Sequence, residues 1–132
     1  MQDALTIVKV LVVDDAPEVR RLLSHRLPIY GSFEVVAEAD DGEAGIAQAR
    51  EVQPDLIVLD MVMPGRSGLD VAPDIRAAAP RSRILLYSSL DTLTRANPTG
   101  LGVDAIVDKA ERLGALEDAL MTLFPEAMES AA

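Results

Sequence analysis

The stretch from Leu56 to Gly68 constrains the fold more than any other part of this 132-residue chain. It begins with consecutive apolar residues, and such a run is typical of a strand that is buried on both faces of a sheet. The run stops at Asp60, and a carboxylate at the end of a buried strand is costly unless something there uses it. Pro64 and Gly65 then break regular structure before the next helix. We therefore predict a rigid strand that carries Asp60 at its tip as the reactive group.

Apolar runs and helix signals alternate along the whole chain. The apolar runs predict five strands, at residues 7–13, 33–37, 56–59, 83–88 and 104–108. Stretches with helical spacing and short connections separate these runs, which is typical of a parallel sheet with helices on both faces. We therefore predict an α/β fold, a doubly wound five-stranded sheet of the flavodoxin-like (βα)5 kind with strand order 2-1-3-4-5.

Proline, glycine and serine residues set the predicted ends of the helices. Pro28 and Gly31 are expected to end the first helix. Ser67 is expected to cap the third helix, and Pro73 to kink that helix by removing a backbone hydrogen bond. Proline and glycine lie close together between residues 91 and 102, so we expect at most two helical turns there.

Five polar residues stand at the carboxyl ends of predicted strands, and in a parallel sheet all of these ends meet at one edge. They are Asp14, Asp15, Asp60, Ser88 and Lys109. Ligands bind at that edge, at the point where the strand order switches. The predicted order makes strands one and three neighbours at this point, so the three aspartates should lie side by side. Neighbouring carboxylates repel one another unless a cation lies among them or one keeps its proton. Oxygen ligands with open positions suit Mg²⁺, so we predict a magnesium site here.

The same residues provide the parts of an in-line phosphoryl transfer. Asp60 can act as a carboxylate nucleophile towards phosphorus. Lys109 offers a positive charge that pairs with carboxylate or phosphoryl oxygens, and Ser88 offers a hydroxyl donor. Nucleophile, metal, cation and donor are together what phosphoryl transfer requires.

Four motifs in this order resemble the receiver domain of bacterial two-component response regulators. The run V-L-V-V-D-D is similar to the family's acidic pair, and L-I-V-L-D-M-V-M-P-G-R-S-G to its phosphoacceptor segment. Ser88 and Lys109 match the family's switch hydroxyl and its lysine. The resemblance implies transfer of a phosphoryl group from a histidine kinase or a small phosphodonor to Asp60, and a switch through Ser88 and Lys109. It also implies Mg²⁺ held by Asp15, Asp60 and the backbone carbonyl of Val62, with Asp14 contributing directly or through water.

Several positions differ from the family's pattern. Ala110 replaces a proline, so we expect a trans bond before it, because a cis bond there would cost about 2.5–4 kcal/mol. Ile106 replaces an aromatic residue, which excludes an aromatic rotamer switch at that position. Val62 and Leu90 stand where family members orient or exclude water. Because both are apolar, we expect slow self-dephosphorylation in a chain that is chiefly a signalling switch.

Composition limits the partners and the compartment. The chain has 22 acidic and 12 basic residues, a net charge of −10, which argues against direct contact with nucleic acid or an anionic membrane. It has no cysteine, and we find no secretory signal or membrane span. A soluble, cytoplasmic protein is therefore expected.

We expect an N-terminal extension at residues 1–6, the receiver domain at 7–124 and a frayed tail at 125–132. The expected partner is a sensor histidine kinase or a phosphotransfer protein. The sequence leaves open a homodimer, and it leaves open whether the chain is a stand-alone regulator or is followed by a C-terminal output domain in a longer protein.

Two other functions remain open at this point. A flavodoxin-like flavin protein would share the fold, but Asp14 and Asp15 would repel the flavin phosphate. A degenerate receiver that acts only as an interaction module would lack a working site. Elsewhere, we interpret residues 40–43, D-D-G-E, as a turn and helix cap, and His25 as a surface residue. We interpret the arginines of the first helix as a solvated face, with contact to an acidic partner as the alternative. Those arginines are Arg20, Arg21 and Arg26.

Overall fold

Five parallel strands and four α-helices make up the computed structural model, which describes residues 7–89, 102–111 and 113–128. In chain order the elements are β1 (Val8–Val13), α1 (Pro17–Tyr30), β2 (Phe33–Ala39), α2 (Gly42–Val52), β3 (Leu56–Leu59), α3 (Gly68–Ala78), β4 (Arg83–Ser88), β5 (Ala105–Asp108) and α4 (Leu113–Leu123). The strand order is β2-β1-β3-β4-β5, and all neighbouring strands pair in parallel. The predicted doubly wound sheet and its strand order are confirmed.

The sheet separates two hydrophobic clusters, because successive side chains of a strand point to opposite faces. On β1, Leu11 and Val13 face the cluster that contains residues of α2 and α3. Val10 and Val12 face the cluster that contains residues of α1 and α4. All four side chains are fully buried. Burial on both faces explains why the central strands are continuous apolar runs in the sequence.

Gly31 directly follows helix α1, as predicted. Pro28 was also expected to end the helix, and this part is wrong, since the helix continues through Pro28 to Tyr30. Leu27 and Tyr30 are both buried against the sheet. Burial of large side chains is worth about 1.5–3 kcal/mol each, which offsets the backbone hydrogen bond that proline cannot donate.

The predicted helix caps are confirmed. The Ser67 hydroxyl accepts a hydrogen bond from the backbone N–H of Asp70 at 3.2 Å, and α3 then continues through Pro73. The Asp41 carboxylate accepts one from the N–H of Ala44 at 2.8 Å, as expected for a turn and cap. His25 is on the surface, as predicted.

The beginning of the tail is ordered, contrary to the expected fraying. Pro125–Ala127 forms a 3-10 helix, and Met128 makes an antiparallel bridge with Gly31. The N–H of Ser32 donates to the carbonyl of Ala127 at 2.7 Å. These contacts hold the chain after α4 against the end of α1. The extension at residues 1–6 and the segment at 90–101 lie outside the described residues.

None of the helices in the described part of the chain has the length and apolar character that crossing a membrane requires.

A substitution at Gly31 tests the contact between the end of α1 and the chain after α4. A methyl group on Gly31 would collide with the carbonyl oxygen of Ala127, although the backbone there is extended and suits any residue. We expect Gly31→Ala to lower the free energy of unfolding by about 1–3 kcal/mol, as overpacking does. Urea unfolding measures this. In a chain that ends at Phe124 the same substitution should cost almost nothing, and an equal cost there would contradict this explanation.

Candidate functional site

Asp14 and Asp60 lie side by side at the carboxyl edge of the sheet. Each directly follows a central strand, and its backbone extends the hydrogen bonding of that strand. The N–H of Asp14 donates to the carbonyl of Ala39 at 3.0 Å, and the N–H of Asp60 donates to the carbonyl of Val13 at 2.9 Å. The two residues are only 2% and 5% exposed. Strand pairing therefore forces two buried carboxyl groups together.

Asp15 completes an acidic cluster with these two residues. Carboxylate oxygens of Asp14, Asp15 and Asp60 all lie within 4.8 Å of one another, and Asp15 is exposed. Among the described residues, this is the sole group of three or more potential metal ligands that lie this close together. Three carboxylates at this spacing, one of them open to solvent, are a donor set that suits a hard divalent cation such as Mg²⁺.

Lys109 brings a positive charge to the cluster from the end of β5. Its Nζ lies 2.8 Å from Oδ2 of Asp14 and 3.3 Å from Oδ1 of Asp60. The Ser88 hydroxyl, which is also buried, donates to Oδ1 of Asp60 at 3.0 Å. The backbone N–H of Lys109 donates to the carbonyl of Ser88 at 2.8 Å. All five polar residues singled out in the sequence therefore meet at one point.

Burial and charge shift the pKa values of two of these groups. Burial raises the pKa of the Asp14 carboxyl, and the hydrogen bond from Lys109 offsets this only in part. Burial alone would lower the pKa of Lys109, but contacts with the Asp14 and Asp60 carboxylates raise it above its usual value. Lys109 is therefore charged at neutral pH.

Comparison with known proteins identifies the family. The family model for the response regulator receiver domain matches residues 10–121. The chain belongs to this family.

Receiver domains of several kinds are similar to this one. The nitrate/nitrite response regulator protein homolog of Haemophilus influenzae is 42% identical over 91 residues, which are 69% of this chain and 42% of that protein. Chemotaxis protein CheY of Listeria monocytogenes is 34% identical over 99 residues, 75% of this chain and 77% of that protein. A protein-glutamate methylesterase/protein-glutamine glutaminase of Maricaulis maris is 34% identical, and the chain covers only 30% of its length.

Solved structures support the same assignment. The response regulator TrrA of Thermotoga maritima, in complex with Mg²⁺-BeF, is 31% identical, with a TM-score of 0.77 over 89% of this chain and all of that one. The response regulator domain of Thermotoga maritima CheB is 27% identical, with a TM-score of 0.73 over 92% of this chain and 94% of that one.

The loop after Asp60 in this receiver domain is held at both ends. The N–H of Gly68 donates to the carbonyl of Met61 at 2.8 Å, and a side chain on Gly68 would collide with the Asp60 carbonyl. Val62 lies within this loop, and 59% of it is exposed.

Arg66 fixes the outer part of the same loop. Its guanidinium lies 3.1 Å from Glu43 of α2 and 2.7 Å from Asp74 of α3, and it donates to the carbonyl of Asp70 at 2.8 Å. These side chains are largely exposed. Arg66 therefore ties the loop to the two helices on that side of the sheet.

One expectation about the positions that depart from the family's pattern is confirmed. No peptide bond between described residues is cis, so the bond before Ala110 is trans, as expected. Ile106 is half-buried and packs against the α2/α3 cluster. Leu90 lies outside the described residues.

Sequence reasoning missed two contacts to the site. Arg20 was expected on a solvated face, and this is wrong. Its guanidinium donates to the Asp14 carbonyl at 2.7 Å and to Glu38 at 3.0 Å. The ring of Tyr87 lies beneath the Lys109 ammonium. Alternation along the sheet could have revealed Tyr87, because it pairs with Val107, two residues before Lys109.

Lys109 generates a prediction about stability. Lys109→Met leaves two buried carboxyl groups without their cation. We expect the free energy of unfolding at pH 7 to fall by about 2–3 kcal/mol, less than for a fully buried pair because Lys109 keeps a quarter of its surface exposed. Asp14→Asn should cost less in the Lys109→Met background than in the parent. Urea unfolding without divalent cations measures both, and additive costs would contradict the pairing.

The pH dependence of that difference provides a second check. Since the folded-state pKa of Lys109 is raised, its contribution is present below the ordinary value of 10.5 and is lost as pH rises through the folded-state pKa. The gap between parent and Lys109→Met should therefore stay constant from about pH 7 to 9 and close at higher pH. A gap that closes below pH 9 would contradict the assignment.

Proposed function

We propose that this receiver domain accepts a phosphoryl group on Asp60 from a histidine kinase, a phosphotransfer protein or a small phosphodonor. The observation that carries the proposal is the meeting of the Asp60 carboxylate with Lys109, Ser88 and two further aspartates at one edge of the sheet. An interaction module without chemistry would not need this complete set of buried polar groups, which are costly to bury.

Asp60, Lys109 and Ser88 have different roles in the phosphoryl transfer. A carboxylate oxygen of Asp60 forms a bond to phosphorus while the bond from phosphorus to the donor breaks, and the donor group leaves with the electron pair. The Lys109 ammonium and the Ser88 hydroxyl, which now contact Oδ1 of Asp60, bind the phosphoryl oxygens. The buried setting strengthens both interactions because little water competes.

Asp14, Asp15, Asp60 and the backbone carbonyl of Val62 would hold Mg²⁺. The acidic cluster fits the ion, because its oxygens are close together and Asp15 faces solvent, where further ligands can be water. When bound, the ion supplies positive charge that offsets the charge of the carboxylates and of the phosphoryl oxygens. Arg20 supports the site by holding the backbone of Asp14.

The switch would run through Ser88 and Lys109. Both residues contact Asp60 in the unphosphorylated protein, so new bonds to a phosphoryl group would move them together with the ends of β4 and β5. Ile106 has no ring or hydroxyl to reorient, so an aromatic switch at that position is excluded. The response must therefore use the route through Ser88 and Lys109. We infer that phosphorylation acts on the segment that follows Ser88.

The wider setting of the domain follows from its chemistry and its relatives. The domain would act in the cytoplasm, with residues 7–124 forming the receiver and a histidine kinase or phosphotransfer protein as its partner. A C-terminal output domain would fit relatives that are longer than this chain. A homodimer is a further form in which such a domain would act. The net charge of −10 makes direct contact of this domain with nucleic acid unfavourable.

The identity of the phosphoacceptor is directly testable. Incubation with acetyl phosphate and Mg²⁺ should give a single phosphoryl adduct by mass spectrometry, and Asp60→Asn should abolish it. Asp55→Asn is the matched control, because Asp55 precedes the same strand at the opposite edge of the sheet, where it accepts a bond from the N–H of Lys9. An adduct that persists in Asp60→Asn would contradict the proposal.

The acidic cluster should increase the affinity for Mg²⁺ and lower the stability of the protein without Mg²⁺. Asp15→Asn removes one anionic ligand, and we expect Mg²⁺ affinity to fall about tenfold or more. Without Mg²⁺ the variant should melt at a higher temperature than the parent, because repulsion among the carboxylates is relieved. Calorimetric titration and thermal melts with chelator measure the two effects. The control Asp40→Asn changes an exposed residue outside the cluster and should alter neither. If Asp15→Asn melts at a lower temperature than the parent, repulsion among the carboxylates does not destabilise the metal-free protein.

A further inference from the structure

Tyr87 is a buried aromatic residue next to the site, and none of the steps above uses it. It directly precedes Ser88 on β4, and only 5% of it is exposed. Tyr87 pairs with Val107 on β5, and Lys109 lies two residues beyond Val107. Residues two apart share a face of the sheet, so Tyr87 and Lys109 are diagonal neighbours on the same face.

The tyrosine ring lies under the charge of Lys109. Nζ of Lys109 is 5.9 Å from the ring centroid, within the range in which an ammonium is attracted to an aromatic face. The same ammonium contacts Asp14 and Asp60. Lys109 is therefore held by a ring and two carboxylates.

Lys109 needs a neighbouring group that limits the motion of its side chain. Its four-carbon side chain is flexible, its charge is strongly hydrated, and a quarter of the side chain reaches solvent. An empty space in place of the ring would let the ammonium turn towards water and away from Asp60. The ring removes that alternative by filling the space and by attracting the charge.

We propose that Tyr87 is a positioning residue, whose buried ring holds the Lys109 ammonium against Asp14 and Asp60. This inference rests on the proposed phosphoryl transfer to Asp60, in which Lys109 binds the phosphoryl oxygens. Tyr87 also belongs to the hydrophobic cluster that contains α1 and α4. That face of the sheet is opposite the face on which Ile106 packs.

Three substitutions test the role by the rate of adduct formation with acetyl phosphate and Mg²⁺. Tyr87→Leu removes the ring, and we expect a rate about three- to tenfold lower, as the loss of a partly desolvated cation–π contact implies. Tyr87→Phe keeps the ring, and its rate should stay within about twofold of the parent. Tyr30→Leu is the matched control, because Tyr30 is buried in the same cluster at the end of α1. It should leave the rate unchanged.

A second background separates positioning from a general loss of structure. In Lys109→Ala the ring has no ammonium to hold, so adding Tyr87→Leu should lower the remaining rate no further. A purely structural role for Tyr87 would lower the rate by the same factor in both backgrounds.

Nuclear magnetic resonance without phosphodonor or metal gives a readout that does not depend on turnover. Protons on the last methylene of Lys109 should show an upfield ring-current shift in the parent and in Tyr87→Phe. That shift should disappear in Tyr87→Leu and persist in Tyr30→Leu.

The outcomes distinguish the two proposals. A parent chain that forms no adduct overturns the proposed function, whatever the spectra show. A parent that reacts, with Tyr87→Leu equally fast or Tyr87→Phe as slow as Tyr87→Leu, overturns the positioning role alone. Loss of rate in Tyr87→Leu without any change in the Lys109 resonances also overturns it.

Discussion

The contact of Lys109 with two buried carboxylates is the interaction on which the rest of the site depends. Asp14 and Asp60 are forced together because β1 and β3 are neighbours, and charge at that depth is unfavourable without a partner. Lys109 reaches them from β5, and the hydrogen bond from its backbone to Ser88 fixes where its side chain begins. The chemistry at the edge of the sheet is thus set by the pairing of strands whose side chains lie mostly in the core.

The central part of this arrangement follows from simple patterns in the sequence. β4 was predicted with its observed bounds, because it is an apolar run that begins after a turn and ends at a polar residue. The three aspartates, Ser88 and Lys109 could be placed together without any structure, since parallel strands bring their carboxyl ends to one edge. This inference needs only the order of the strands, which the alternation of strands and helices restricts to few alternatives.

What could not be predicted depends on contacts between distant parts of the chain. Pro28 carries a local signal that ends helices, yet the packing of Leu27 and Tyr30 outweighs it. Arg20 has the same helical spacing as a solvated arginine, and only the position of the Asp14 carbonyl gives it a partner. The tail has no strong pattern of its own, and its order comes from a close approach to Gly31. In each case the deciding energy comes from tertiary packing or hydrogen bonding, which local propensity does not contain.

The two sides of the site differ in how they respond to ionic strength. The bridges of Arg66 to Glu43 and Asp74 are exposed, and exposed ion pairs contribute little free energy and are weakened further by salt. The contacts of Lys109 with Asp14 and Asp60 are largely shielded from solvent ions. Added salt should therefore loosen the loop that carries Val62 while the lysine side keeps its geometry. The Asp60 carboxylate therefore has a salt-sensitive loop on one side and a salt-resistant lysine contact on the other.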